Sequence, residues 1–249
     1  MPVATLPRSE VHLLLARPEA LEDEAWVDRH RALLTEAERA RCERFRHAHL
    51  RHAALVTRAL VRLTLSRYAP VPPEAWRFGV GGHGKPFIEG ETHGLSFNVA
   101  HTRGLVLCAV ASERVLGVDV EHTAVRAEPH ALAEQFFAEA EVEALRPLVG
   151  DELRERFLAI WTLKEAYAKA RGLGLSLPLA RYGFSLANDG SASLWLDERE
   201  RLGVEPHPWH FERRAIGHHR LAVAAALARA DERLEVRIVD AFAPGGSGL

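Results

Sequence analysis

Apolar residues recur along this chain at two periods, one helical and one alternating. Val11 to Leu15 is a short apolar run closed by Pro18, which predicts an opening strand. Leu33-Leu34-Thr35 then runs into Glu36 and Glu38, where Thr35 is placed to cap a helix and the acids suit its positive end. From about Glu36 to Tyr68, Phe45, Leu55, Leu60, Leu63 and Leu65 recur among arginines. That spacing predicts helix with a break near His47 to His49, stopped by Pro70 and Pro72-Pro73. Gly79 to Gly84 reads as a turn, and Lys85-Pro86 lacks the Ser or Thr of a phosphate-binding P-loop. Leu95, Phe97 and Val99 alternate with polar or small residues, Thr102-Arg103-Gly104 turns, and Leu105 to Ala111 returns as a fully apolar strand.

The second part of the chain is built alike. Gly117 to Glu121 predicts a strand, and a loop with Pro129 precedes a helix from about Ala131 through Leu145. Between Asp151 and Arg171 there is no Gly or Pro, and Phe157, Ile160, Trp161, Leu163 and Tyr167 keep helical spacing. Gly172 to Leu179 ends that helix in an extended stretch. Three strands follow at Phe184 to Ala187, Ala192 to Leu196 and Trp209 to Arg213, with turns at Asn188-Asp189-Gly190 and around Pro206 and Pro208. Gly217-His218-His219 turns into a last apolar run, Leu221 to Leu227.

The order long helix, strand, histidine-bearing turn, buried strand therefore occurs from about Arg41 to Ala111 and again from about Asp151 to Leu227, Leu105 and Leu221 being offset by 116. The expected fold class is α+β, a pseudo-dimer of two similar α+β halves. The boundaries expected are 1–112, 113–240 and a flexible tail over 241–249.

Composition narrows the class of protein without naming a chemistry. With 249 residues, 47% hydrophobic and 27% charged, the chain is that of a soluble globular protein. A net charge of −2 argues against a general nucleic-acid binder. Cys42 and Cys108 form no C-x-x-C pair, so the reading is a reduced cytoplasmic protein without zinc or a disulfide framework. No apolar run is long enough for a signal peptide or a membrane span.

The candidate chemistry lies in two stretches. Asp119 and Glu121 sit two apart on a strand and share a face; Glu165 and Lys169 sit four apart on a helix and share another. Three such carboxylates are oxygen ligands of the kind Mg²⁺ takes while leaving positions for water and phosphates, with Lys164 and Lys169 adding positive charge. Spacing alone equally fits a solvated edge strand and an i,i+4 surface pair.

The same residues resemble a family. Gly117-Val118-Asp119-Val120-Glu121, followed after about forty residues by Trp161-Thr162-Leu163-Lys164-Glu165-Ala166-Tyr167-Ala168-Lys169, is similar to the signature pair of the Sfp-type 4′-phosphopantetheinyl transferases. Gly84-Lys85-Pro86 and Phe97-Asn98-Val99-Ala100-His101 resemble two further blocks, and the likeness runs from about Arg41 to Leu179. Many members carry Ser where Ala100 stands.

This resemblance implies the two-half transferase fold and transfer of 4′-phosphopantetheine from coenzyme A to a carrier-protein serine. It implies Mg²⁺, or Mn²⁺, on Asp119, Glu121 and Glu165, with Glu165 and Lys169 catalytic. For coenzyme A it implies Arg41 and Arg44 at the adenosine end and 3′-phosphate, Lys85 and Pro86 at the nucleotide, and His101, Lys164 and Lys169 at the phosphates. The other arginines of that helix read as a solvated face balanced by Glu36, Glu38 and Glu43. Phe136 to Glu141 resembles a block with one more acid, Glu141 matching better than Glu139. The base for the serine is then Glu165, Glu141 or water. The expected partners are acyl or peptidyl carrier domains of polyketide, nonribosomal peptide or fatty acid synthases, met by a monomer at Arg171, Leu173 and Leu175. The acidic stretches also suit two other readings, a Mg²⁺-dependent phosphohydrolase and a non-catalytic binding module.

Overall fold

The computed structural model describes residues 3–124, 128–196 and 208–242. In chain order the elements are β1 (Glu10–Ala16), α1 (Glu24–Arg31), α2 (Glu36–Glu43), α3 (Ala48–Tyr68), β2 (Phe78–Val80), β3 (Pro86–Ile88), β4 (Leu95–Thr102), β5 (Leu105–Ser112) and β6 (Leu116–His122). They continue with α4 (Pro129–Phe136), α5 (Glu139–Leu145), α6 (Gly150–Arg171), β7 (Tyr182–Leu186), β8 (Ala192–Leu196), β9 (Trp209–Ile216), β10 (His219–Ala226) and β11 (Glu235–Asp240). Helices and mainly antiparallel sheets make this an α+β protein, and it divides into two units.

The first unit holds the described residues of 3–81, 86–114 and 234–242. Its sheet has the order β11-β1-β5-β4, with β5 antiparallel to both neighbours and β11 parallel to β1. Every residue from Leu105 to Ala111 is fully buried, which is why β5 is apolar on both faces. Val56, Leu60 and Leu65 of α3 pack with Val106, Cys108 and Val110 of that strand in one core. Thr35 caps α2, its side chain accepting from the Glu38 N–H while Glu38 reaches back to the Thr35 N–H. The helix break falls between Glu43 and Ala48.

Arg62 and Glu38 are not part of a solvated face. Arg62 is 1% exposed and donates to Glu38 at 2.6 Å and to the carbonyls of Pro73 and Trp76, tying α2 and the loop after α3 together. The same unit gains a strand that the pattern does not announce, β11. The periodicity assigns 113–240 to one half, but pairing with β1 carries the chain from residue 234 back to the first unit. The tail begins later than Ala241: its N–H donates to the Leu15 carbonyl, and Phe242 packs edge-on against Trp26. Residues 243–249 and the turn around Pro206 lie outside the described residues.

The second unit holds 82–85 and the described residues of 115–233. Its central sheet, β6-β10-β9, is antiparallel throughout, and β7 pairs with β8. The helix expected from Ala131 through Leu145 is broken in two at Phe137-Ala138, whose extended backbone separates α4 from α5. Gly172, at φ 68°, ends α6 in the left-handed conformation that glycine adopts without strain. Leu163, Ala166, Tyr167 and Ala170 of α6 pack with Ala222 and Ala224 of β10. Opening strand, long helix and closing hairpin thus recur as β1, α3, β4–β5 and as β6, α6, β9–β10.

Candidate active site

The second unit brings β6 and α6 together at a glycine. A Cβ on Gly117 would lie 2.0 Å from the Ala166 carbonyl oxygen and 2.4 Å from the Ala170 nitrogen, so only a residue without one lets strand meet helix backbone to backbone. Two and four residues further on, Asp119 and Glu121 share the face of β6 that meets α6. The alternate residues Val118 and Val120 are buried.

Asp119 is 5% exposed and its Oδ1 accepts from the Lys169 ammonium at 2.6 Å. Burial first, then the Asp119 charge, push the Glu121 carboxyl up to about 7, while Lys169 and a hydrogen bond from Trp161 pull it down. Glu165 is raised for the same two leading reasons, burial and Asp119. Its Oε1 is enclosed and has no hydrogen-bond partner. Three carboxylates thus surround one ammonium, and two of them take up a proton more readily than a free glutamate does. Trp161 was legible only as an apolar position of α6; its indole stacks on Phe157 and aims its N–H at Glu121, a pairing that sequence spacing does not encode.

Among the described residues, no three acidic, imidazole or thiol groups converge tightly enough to grip a metal ion as they stand. The central cation is Lys169. The donor set still suits a hard cation: all three groups are carboxylates, two are destabilised as anions, and one buried oxygen has no partner.

Lys164 and Glu141 do not join this group. Lys164 is fully buried, its ammonium 2.7 Å from Glu141 Oε2 and donating to the carbonyls of Leu179 and Tyr182, with the Tyr182 and Phe137 rings against it. Glu141 also accepts from the Phe184 and Ala138 N–H groups. The pair fastens α5, α6 and β7 to one another, so the expected phosphate contact of Lys164 is replaced by a structural one. Its position on α6, one residue before Glu165, turns it onto the neighbouring face.

The remaining candidates are distributed over both units. In the second, Lys85 donates to the carbonyls of Leu116 and Ala170 at 3.0 Å each, which caps the end of α6, and burial pulls its pKa down to about 8. Arg171 donates to the Tyr167 hydroxyl and Leu173 packs on the core; the side chain of Leu175 lies outside the described residues. In the first, Arg41 and Arg44 are exposed at the end of α2, Pro86 pairs with Val80 in the β2–β3 hairpin, and His101 is exposed near the end of β4.

The class these features define is a two-unit α+β protein with an acid-and-lysine group where strand and helix backbones touch. Residues 115–226 match the 4′-phosphopantetheinyl transferase superfamily, and residues 22–114 match its description "4′-phosphopantetheinyl transferase, N-terminal". The 4′-phosphopantetheinyl transferase HetI of Nostoc sp. is 36% identical over 70% of this chain and 74% of its own length. The 4′-phosphopantetheinyl transferase Sfp of Bacillus subtilis is 31% identical over 75% of this chain and 80% of its own. This chain belongs to the 4′-phosphopantetheinyl transferase family. A holo-(acyl-carrier-protein) synthase structure from Bacillus anthracis covers 45% of this chain and 96% of its own, at 20% identity and a TM-score of 0.39, too low to bear on the fold.

Proposed function

We propose that this protein transfers the 4′-phosphopantetheine arm of coenzyme A to a serine hydroxyl of an acyl or peptidyl carrier protein. A bond forms from the serine oxygen to the phosphorus that carries the pantetheine arm, the pyrophosphate bond breaks, and adenosine 3′,5′-bisphosphate leaves. The observation that carries this reading is the group Asp119, Glu121, Glu165 and Lys169 at the glycine contact of β6 and α6, in a chain of this family.

We assign Asp119, Glu121 and Glu165 as the residues that hold Mg²⁺, or Mn²⁺, which when bound neutralises pyrophosphate charge. Lys169 pairs with Asp119 and orients it, and is 29% exposed, enough to meet a leaving phosphate. A serine hydroxyl is a weak nucleophile near neutral pH and needs a base. Glu141 is held by Lys164, which favours Glu165, whose burial raises its proton affinity. On the coenzyme, His101 serves the pyrophosphate, Arg41 and Arg44 the 3′-phosphate, and the backbone around Pro86 the nucleotide. Lys85 reaches a phosphate only by leaving the carbonyls of Leu116 and Ala170.

The acceptors in this reading are carriers of polyketide, nonribosomal peptide or fatty acid synthases, met by a cytoplasmic monomer. Among the described residues no helix is long and apolar enough to cross a membrane. The test is the intact mass of a purified apo carrier after incubation with the protein, coenzyme A and Mg²⁺, beside a chelator control. A Mg²⁺-dependent gain of one phosphopantetheine is expected. Coenzyme A breakdown with no gain on any carrier class would replace transfer by hydrolysis.

A further inference from the structure

The second unit also contains a groove of about 510 Å³, bordered by α6, the turn between β7 and β8, and the β9–β10 pair. Its charged lining is Arg156, Arg213, Arg214 and Arg220 against Glu152 and Glu155, a positive concavity on a chain whose net charge is −2. Two of the arginines are already matched. Arg220 forms a two-pronged pair with Glu155 at 2.6 and 2.7 Å, and Arg214 lies 2.6 Å from Glu212.

Arg213 and Arg156 are different. Arg213 is fixed by its Nη2 donating to the Ala187 carbonyl at 2.6 Å and its main-chain N–H donating to Gly190 at 3.0 Å, yet its Nε is enclosed and has no acceptor. Burial, then the charge of Arg156, disfavour the Arg213 cation, and only the exposed Asp189 opposes them. Two guanidinium groups thus share one concavity whose remaining acid is Glu152, and one N–H of a rigidly held fork is unclaimed. Arg156 precedes Glu165 by nine residues, about 13 Å along a helix axis, and Arg213 stands two strands from Asp119 across Ala222 of β10, so the pair borders the acidic group without joining it.

The geometry points to a second ligand site here, one that binds a small polyanion bearing phosphate or carboxylate groups, with Arg213 and Arg156 as the paired contacts. A groove of this volume suits a metabolite-sized molecule. The two anionic functions are told apart by probe: inorganic pyrophosphate for phosphate, citrate for carboxylate.

The experiment follows backbone amide shifts of the full chain on titration with each probe. Pyrophosphate, citrate or both should shift the amides of Gly190, Ser191 and Arg213, and the tighter of the two identifies the preferred function. Arg156→Gln, at an exposed position, should weaken that binding about tenfold, the loss of one charge-assisted contact, with carrier modification unchanged. Arg213→Lys, which keeps the charge but removes the fork, should weaken it as well. Absence of shifts with both probes, or equal affinity in Arg156→Gln, would overturn the site.

Discussion

Gly117→Ala is the sharpest perturbation of the site that leaves every functional side chain in place. The added methyl would stand 2.0 Å from the Ala166 oxygen, 2.4 Å from the Ala170 nitrogen and 2.9 Å from the Ala170 Cα. All three are backbone atoms of α6, so no rotamer change relieves the overlap. Ordinary contact begins near 3.4 Å, and β6 must therefore lift from α6 by about 1.4 Å. Overpacking of this kind costs about 3 kcal/mol, near the upper end of its usual range, or about 10 °C in melting temperature for a unit of this size. The larger effect is on chemistry, because Asp119 and Glu121 ride on β6 while Glu165 and Lys169 ride on α6. A misplacement of about 1 Å costs about a hundredfold in rate. The assay is turnover of apo to holo carrier beside a thermal melt, with Gly82→Ala, where nothing lies within 4 Å, as control. If Gly117→Ala melts within a degree or two of the parent and turns over within a few-fold of it, the close approach does not assemble the site.

Other outcomes follow from the same geometry. Lys164→Ala leaves the Glu141 charge buried and unmatched, and should cost about 3–5 kcal/mol in denaturant unfolding while turnover per folded molecule stays near the parent's; a phosphate contact would show the reverse. Glu165→Ala should abolish transfer in the carrier-mass assay yet melt at or above the parent temperature, because it removes a buried anion with an unpartnered oxygen beside Asp119. Lys85 has its pKa lowered from 10.5 to about 8, so between these values the unfolded chain holds the proton that the folded chain has released. Stability must then rise with pH from about 8 to about 10 relative to Lys85→Met, by up to about 3 kcal/mol, as read from urea midpoints of the two proteins at each pH.

Local pattern carried most of the fold. The Thr35 cap, the buried β5, the alternation of β4 and the glycine end of α6 are each written within a few adjacent residues, and the offset of 116 exposed the repeat. β11 was illegible because its Glu-Val-Arg-Ile-Val-Asp stretch is short and its partner β1 lies 225 residues away. The acidic group was legible as residue types and faces. The fate of Lys164 was not, since only the path of α5 and β7 decides that an ammonium is enclosed by Glu141 and two carbonyls. Gly117 has the same character: its neighbours on α6 come about fifty residues later, and nothing in its own stretch marks the contact.

The pairing of β1 with β11 has a consequence for synthesis. In the order of synthesis, residues 115–233 bring every described strand of their own sheets, so that unit completes its sheets without Glu235–Asp240. The unit translated first cannot close at that time, because β1 waits with one edge bare until Glu235–Asp240 arrives. A premature stop after residue 233 would therefore release a protein with its acidic group complete and a sticky strand at its opposite end of sequence, so that aggregation and not loss of chemistry would be its first defect.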